Sequence, residues 1–307
     1  MALVTSDAEE GTRGRGMVWR PEAPWRAPAT LAATDWLIDA VLCRRVDHVL
    51  ELAAGTGEAG IAVAEFLSND AKVTITDGAA HRVAALRAWV NDVGLTNIDV
   101  RQMTMDAILL PDGAVQAIFS RFGLMDCKDI AMALREAHRV LAPGGQLALA
   151  MWSCASLNPV LGVPSAVLQG VDVGGDHQDV RSVLGSLCFS DRAELRELLE
   201  NAGFDSVQTR DLDVWFVFSS LHDAVETLGS RPSIRPLLAN VSSPHACALR
   251  QALVREIDQR AWALPDGRIA VPATVITVTG DRPPPRGGAL TRVPTSGTSR
   301  AGGLRAT

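Results

Sequence analysis

The stretch that decides the fold is HVLELAAGTGEAG, residues 48–60. A short apolar run ends near the carboxylate of Glu51, a turn follows, and helix-forming residues come next. Asp77 lies about 20 residues beyond the turn, where dinucleotide-binding proteins place an acid for the ribose. Three glycines of the stretch match the pattern G-x-G-x-x-G: Gly55, Gly57 and Gly60. The pattern predicts a strand–turn–helix unit that binds a nucleoside, and leaves open which one.

Strand and helix signals alternate on both sides of this unit. Strands are predicted at 48–53, 72–77, 98–103, 115–122 and 146–152, and helices at 31–42, 57–67, 79–94 and 129–145. Strands separated by helices imply right-handed crossovers, a parallel sheet and helices on both of its faces. The sequence therefore predicts a doubly wound α/β domain.

The alternation is lost after Trp152. Residues 153–189 are rich in Gly, Pro and Ser, and they precede a predicted helix at 190–204 and strand at 207–218. Two helical stretches, roughly 220–229 and 244–262, and a final strand at 267–280 complete the pattern. The predicted organisation is an irregular arm at 1–30, one domain at 31–280 and a disordered tail at 281–307. Within the domain, the cofactor-binding core is predicted at about 34–152, and the lid and the last strands at 153–280.

Composition restricts the class of protein. The chain of 307 residues is 47% hydrophobic with a net charge of −6, so no electrostatic feature favours a nucleic-acid partner. The start has no apolar leader, and no apolar run approaches the ~18 residues of a membrane span. The five cysteines form no C-x-x-C pair and the histidines are scattered, so we expect a reduced, cytoplasmic protein without a metal site.

Glu51 bears on the identity of the ligand. A dinucleotide would bring two phosphate charges to the turn, and a nearby carboxylate would repel them. A ligand with an amino-acid tail also brings an ammonium group, which Glu51 could bind directly or through water. The alternative is that Glu51 points away and caps a loop.

Two further acids fit a nucleoside ligand. Asp77 ends the second strand and can accept hydrogen bonds from both ribose hydroxyls, or else cap the helix that starts near Ala79. Asp106 follows the third strand and can accept from the exocyclic amine of adenine, while the N–H of Ala107 can donate to a ring nitrogen.

Together these motifs resemble the class I S-adenosylmethionine-dependent methyltransferases, and most closely the branch with the ubiquinone/menaquinone-biosynthesis enzymes. The matching segments are VLELAAGTGEAG, VTITDGA, MDAILLPDGAVQAIFSRFGLM, ALREAHRVLAPGGQLALAMW and FSDRAELRELLENAGF. The resemblance covers about residues 34–218 and implies a mostly parallel, Rossmann-like sheet of seven strands with an antiparallel final strand and a small helical lid. Two segments depart from the family: TDGAA in the second motif, and GAVQAIF, which lacks the usual aspartate.

The resemblance also implies a role for each matching position. Asp77 would hold the ribose of S-adenosylmethionine, Asp106 and Ala107 would bind the adenine, and Arg121 would lie near the methionine carboxylate or the substrate entrance. The residues expected around the methionine end are Glu51, Ala53, Gly55, Thr56 and Gly57.

Methyl transfer mainly requires the protein to orient the acceptor toward the methyl group, because that group is already activated on a sulfonium. No general base can be assigned. His81 and His177 are weak candidates and His138 is better explained by packing, while Arg121 is the candidate for positioning a substrate. The sequence predicts a small, apolar or aromatic methyl acceptor. Two alternative functions stay open: an NAD(P)-dependent oxidoreductase and a non-catalytic cofactor-binding module. The sequence does not predict the oligomeric state.

Overall fold

The structure, a computed structural model, describes residues 27–68, 70–158, 191–229 and 243–284. The predicted arm before residue 27, most of the predicted lid, His177 and the tail after residue 284 lie outside the described residues. The division into a core and a lid therefore stays a prediction.

The strands are β1 (His48–Glu51), β2 (Lys72–Asp77), β3 (Ile98–Gln102), β4 (Val115–Arg121), β5 (Leu141–Trp152), β6 (Asp205–Phe218), β7 (Trp262–Ala263) and β8 (Ile269–Asp281). The α-helices in the described ranges are α1 (Ala27–Leu42), α2 (Glu58–Phe66), α3 (Ala80–Val93), α4 (Ile130–Val140), α5 (Arg192–Asn201), α6 (Leu221–Gly229) and α7 (Ser243–Asp258).

Seven of the strands form one continuous sheet in the order β3-β2-β1-β4-β5-β8-β6, and the short β7 pairs with β8. All pairs from β3 to β5 are parallel, whereas β8 is antiparallel to both of its neighbours, β5 and β6. The predicted fold class is confirmed. Because the strand order reverses between β1 and β4, their carboxyl ends form the switch point at which open α/β sheets bind ligands.

Helices cover both faces of the sheet. One buried apolar cluster joins the sheet to α1, α2, α3, α6 and α7, and a second joins it to α4 and α5. Neighbouring side chains of a strand point to opposite faces of the sheet, and β4 contributes to both clusters for this reason. Phe119 belongs to the first cluster and Ile118 to the second, and both are fully buried. Within the described ranges, no helix has the length and apolarity needed to cross a membrane.

The predicted helix at 129–145 is wrong at its carboxyl end. The structure ends α4 at Val140, and Leu141 already pairs with Val115 in the sheet. Pro143 cannot donate a helical hydrogen bond, and Gly144 has a φ of 79°. The carbonyls of Arg139 and Leu141 accept hydrogen bonds from the Arg282 guanidinium, which replaces the missing helical donors.

Several other element boundaries also differ from the predictions by a few residues. Helix α1 begins at Ala27 rather than at residue 31. Helix α7 ends at Asp258, because Trp262 turns into β7. Strand β8 reaches Asp281, whose carboxylate lies 2.8 Å from the Arg44 guanidinium after α1.

Candidate active site

The candidate site lies at the carboxyl edge of the sheet, where the loops after β1 and β4 touch. Ala53 and Phe122 both have the left-handed backbone conformation, with φ values of 51° and 63°. Gly123 lies so close to the first loop that a Cβ there would be 2.6 Å from the Ala53 Cβ. Such backbone conformations are costly for residues other than glycine, and they concentrate at functional sites.

Asp77 connects the glycine turn to the next loop. Its side chain is buried, Oδ2 accepts from the Gly55 N–H and Oδ1 accepts from the Ala79 N–H, both at 2.8 Å. Arg82 Nη1 lies 3.7 Å from Oδ2. Ala79, and not Asp77, is the N-cap residue of α3. Each carboxylate oxygen has the capacity to accept a further hydrogen bond, for example from a ribose hydroxyl.

Glu51 is almost completely buried, at 1% exposure, beneath the start of α2. The backbone N–H of Gly60, in the first turn of that helix, lies close enough to the carboxylate to lower its pKa. Oε2 has no hydrogen-bond partner among the described residues, and a Cβ on Gly60 would lie 2.1 Å from it. Glu51 therefore lies against the start of a helix, which is close to the capping alternative, and keeps one oxygen without a partner in the described ranges.

Burial raises the pKa of Glu51 to about 8, although the charge of Arg121 and the Gly60 N–H act in the opposite direction. The nearby Glu58 and Asp77 carboxylates raise it further. A neutral carboxyl group can be tolerated in this enclosed position, and an arriving ammonium would favour its ionised form.

The free energy of unfolding should depend on pH through Glu51. Between its ordinary pKa of 4.5 and the folded value of about 8, the folded protein holds a proton that the unfolded chain releases. The contribution of Glu51 to stability therefore falls as pH rises through that window. Urea denaturation at about pH 5 and about pH 8 should show Glu51→Gln gaining stability relative to the wild type at the higher pH. A difference between the two proteins that does not change with pH would contradict this assignment.

The N–H groups of two of the motif glycines are already used. That of Gly55 donates to Asp77 at 2.8 Å, and that of Gly57 donates to the Ala54 carbonyl at 3.0 Å. A pyrophosphate bound as in a dinucleotide site would need such donors. It would also meet the carboxylates that surround the turn, so the geometry disfavours phosphate.

Arg121, at the end of β4, is held between two other elements. Nη2 lies 2.8 Å from Glu58 Oε2, and Nη1 donates to Thr34 Oγ1 of α1 at 2.7 Å. The Arg121 side chain is 12% exposed and that of Glu58 18% exposed. The sequence analysis missed Glu58 and Thr34. The position of Glu58 as the first residue of α2 was a signal that could have found it.

Of the two residues predicted to bind adenine, Asp106 lies at the expected edge of the sheet, but the Ala107 N–H already has a partner. Asp106 is half-buried in the loop after β3, at the expected edge of the sheet. The Ala107 N–H, expected to face a ring nitrogen, donates to the Thr104 carbonyl at 3.3 Å. Asp126 was not predicted from the sequence. Burial raises its pKa, while the charge of Arg82 acts to lower it and that of Asp77 acts to raise it further. Asp126 therefore lies within electrostatic range of Asp77 and Arg82.

Two of the three histidine candidates lie within the described residues. His81 is exposed in the first turn of α3, next to Arg82. His138 packs edge-on against Phe204, with ring centroids 5.2 Å apart. No general base is assigned to either side chain.

An aromatic stack adjoins the loop after β4. The rings of Phe122 and Trp152 are parallel, with centroids 4.3 Å apart, and Phe216 lies 5.6 Å from Trp152. Phe122 and Trp152 are half-buried, whereas Phe216 belongs to the core. Trp215 and Trp262, which are 40% and 57% exposed, form a separate edge-to-face pair.

Comparison with known proteins identifies the class. Residues 49–145 match the family model described as a methyltransferase domain. Together with the sheet order and the relative described next, this match supports a class I S-adenosylmethionine-dependent methyltransferase. It is similar to the ubiquinone/menaquinone biosynthesis C-methyltransferase UbiE of Escherichia coli, with 29% identity over 183 residues that cover 57% of this chain and 73% of UbiE. The predicted family resemblance is confirmed.

Solved structures support the fold. The YcgJ protein of Bacillus subtilis superimposes with a TM-score of 0.56 at 15% identity, over 82% of this chain and 98% of YcgJ. The [4+2]-cyclase SpnF superimposes with a TM-score of 0.52 at 19% identity, over 86% of this chain and 85% of SpnF. Because this fold also occurs in a cyclase, the reaction has to be argued from the family match and the site.

Proposed function

We propose that the chain transfers the methyl group of S-adenosylmethionine to a small apolar or aromatic acceptor. The observation that supports this best is the buried Glu51 carboxylate, whose Oε2 has no hydrogen-bond partner among the described residues and which lies beside a turn whose Gly55 and Gly57 N–H groups are occupied. Such a site suits a ligand with an ammonium group better than one with a pyrophosphate.

The proposed contacts follow the geometry of the edge. Glu51 would bind the ammonium of the methionine moiety and Arg121 its carboxylate, while Asp77 would hold the ribose. Asp106 would accept from the adenine amine, with Ala107 in the adjoining turn. The residues that would line the methionine end are Ala53, Gly55, Thr56 and Gly57.

The bound cofactor supplies an activated methyl group on a sulfonium. The protein then has to orient the acceptor and exclude water, and orientation of this kind supplies up to ~7–11 kcal/mol of barrier lowering. The rigid contact between the loops after β1 and β4 is suited to that task. A general base is needed only when the acceptor must lose a proton that its own chemistry does not release.

The acceptor class is proposed from the Phe122–Trp152 stack. Phe122 immediately follows Arg121, so the half-buried rings adjoin the methionine end of the proposed cofactor site. Aromatic faces favour flat, apolar partners. Arg121 can in addition hold an anionic oxygen of such an acceptor.

Titration calorimetry tests the cofactor assignment. The full chain should bind S-adenosylhomocysteine and produce no binding heat with NADH. Binding of NADH alone would overturn the proposal in favour of an oxidoreductase. Incubation of the protein with cell extract and S-adenosylmethionine carrying a radiolabelled methyl group should then yield a labelled product that partitions into organic solvent. Cofactor binding without any labelled product would overturn the proposed reaction and favour a non-catalytic binding module.

A further inference from the structure

We infer that Glu58 is a specificity-determining residue, which neutralises Arg121 and thereby makes the cofactor site reject adenosine ligands that carry phosphates. This inference rests on the proposed function, because it assumes that an adenosine group binds beside the glycine turn.

Two features that bind phosphate in other proteins meet at this turn. A glycine-rich loop leads into the nine-residue helix α2, and an Arg side chain faces the start of that helix. Helix N-termini and guanidinium groups are the usual protein partners of phosphate. Without the carboxylates that surround the turn, these two features would favour an anionic ligand.

Glu58 occupies that anion position with a side chain of the protein itself. Its Oε2 lies 2.8 Å from Arg121 Nη2, and both side chains are largely buried, so solvent screens the pair only weakly. As the first residue of α2, Glu58 also places its negative charge at the favourable end of the helix dipole. The pair has no net charge, and removal of the carboxylate would leave one uncompensated cation.

The other two acids of the turn have different partners. Asp77 accepts hydrogen bonds from the backbone N–H groups of Gly55 and Ala79, and Glu51 is buried against the first turn of α2. Oε2 of Glu51 is buried without a partner in the described residues, and this second observation indicates a cationic ligand group. Glu58 is the acid paired with the guanidinium, so its removal should change the preference for ligand charge most directly.

Three adenosine ligands of different charge test the inference on the full chain. S-adenosylhomocysteine is zwitterionic, methylthioadenosine is neutral and ADP is anionic. ADP is measured as a competitor of methylthioadenosine, so that weak binding still gives a ratio. Glu58→Gln should bind ADP at least about tenfold more tightly than the wild type, with methylthioadenosine affinity unchanged within about twofold.

Matched variants isolate the mechanism. Glu65→Gln makes the same charge change at an exposed position in the last turn of α2, and it should leave ADP affinity at the wild-type level. The double variant with Glu58→Gln and Arg121→Gln should lose the gain in ADP affinity that Glu58→Gln alone produces. Glu58→Ser provides a second neutral side chain if Glu58→Gln fails to fold.

The two proposals fail in different ways. If neutral variants at Glu58 still bind S-adenosylhomocysteine but gain no affinity for ADP, the inference about Glu58 is overturned. If the wild-type protein does not bind S-adenosylhomocysteine at all, the proposed function is overturned instead.

Discussion

Replacement of Asp77 by Ala should weaken the binding of S-adenosylhomocysteine by at least about 100-fold, because two kinds of contact are lost together. The variant loses the acceptors that hold the Gly55 and Ala79 N–H groups, each at 2.8 Å. It also loses the acceptor proposed for the ribose hydroxyls. Hydrogen bonds to a charged group contribute roughly 1.5–3 kcal/mol each, so the loss of two or more accounts for the expected change.

The measurement is titration calorimetry, with a thermal melt to show that the variant is folded. Asp99→Ala is the matched control, because Asp99 lies near the amino end of β3 and pairs with Lys72 and Arg101. Its affinity for S-adenosylhomocysteine should stay within about twofold of the wild type. A folded Asp77→Ala protein with wild-type affinity would exclude Asp77 from the cofactor site.

The parallel half of the fold could be predicted from the sequence because its signals are local. Each of the first four strands is short and bounded by a turn, and each helix between them has a recognisable start or end. The C-cap of α3 is an example, since Gly94 has a φ of 74°, as predicted for a glycine that ends a helix. Burial of β1 on both faces explains its continuous apolar run.

The placement of β8 between β5 and β6 could not be derived from periodicity. Its pairs join positions such as Leu147 with Gly280, and no local signal specifies a partner so distant along the chain. The expectation of an antiparallel final strand came from the family resemblance. The start of β5 was missed for a related reason, since Leu141 is drawn into the sheet by its pairing with Val115.

The site shows the same division between local and non-local information. Glu51 and Asp77 could be selected because both end strands beside the glycine turn. Glu58 and Thr34 were missed as partners of Arg121, because the contact joins α1, α2 and the end of β4. The sequence also could not show that the Ala107 N–H is used within its own turn.

The three glycines of the motif are not equivalent in the structure. At Gly60 a side chain is excluded by neighbouring atoms and not by the backbone conformation. Its backbone is helical and outside the left-handed region, so helix propensity alone predicts that Ala would stabilise it by about 1 kcal/mol. A Cβ there would, however, lie 2.1 Å from Glu51 Oε2 and 2.6 Å from Ile75 Cδ1. Both neighbours are buried, so moving either of them would disturb packed side chains.

Gly60→Ala should therefore lower the free energy of unfolding by about 2 kcal/mol or more, because overpacking and a displaced buried carboxylate outweigh the gain in propensity. It should also weaken the binding of S-adenosylhomocysteine, since Glu51 would be pushed from its position. Gly94→Ala is the control: its Cβ would meet nothing within 4 Å, and the left-handed backbone costs roughly 1–2 kcal/mol without touching the site. Urea denaturation and calorimetry on both variants separate overpacking beside Glu51, which should affect stability and binding, from backbone strain, which should affect stability alone. A Gly60→Ala protein that is more stable than the wild type, with its cofactor affinity intact, would show that Glu51 does not depend on the space beside Gly60.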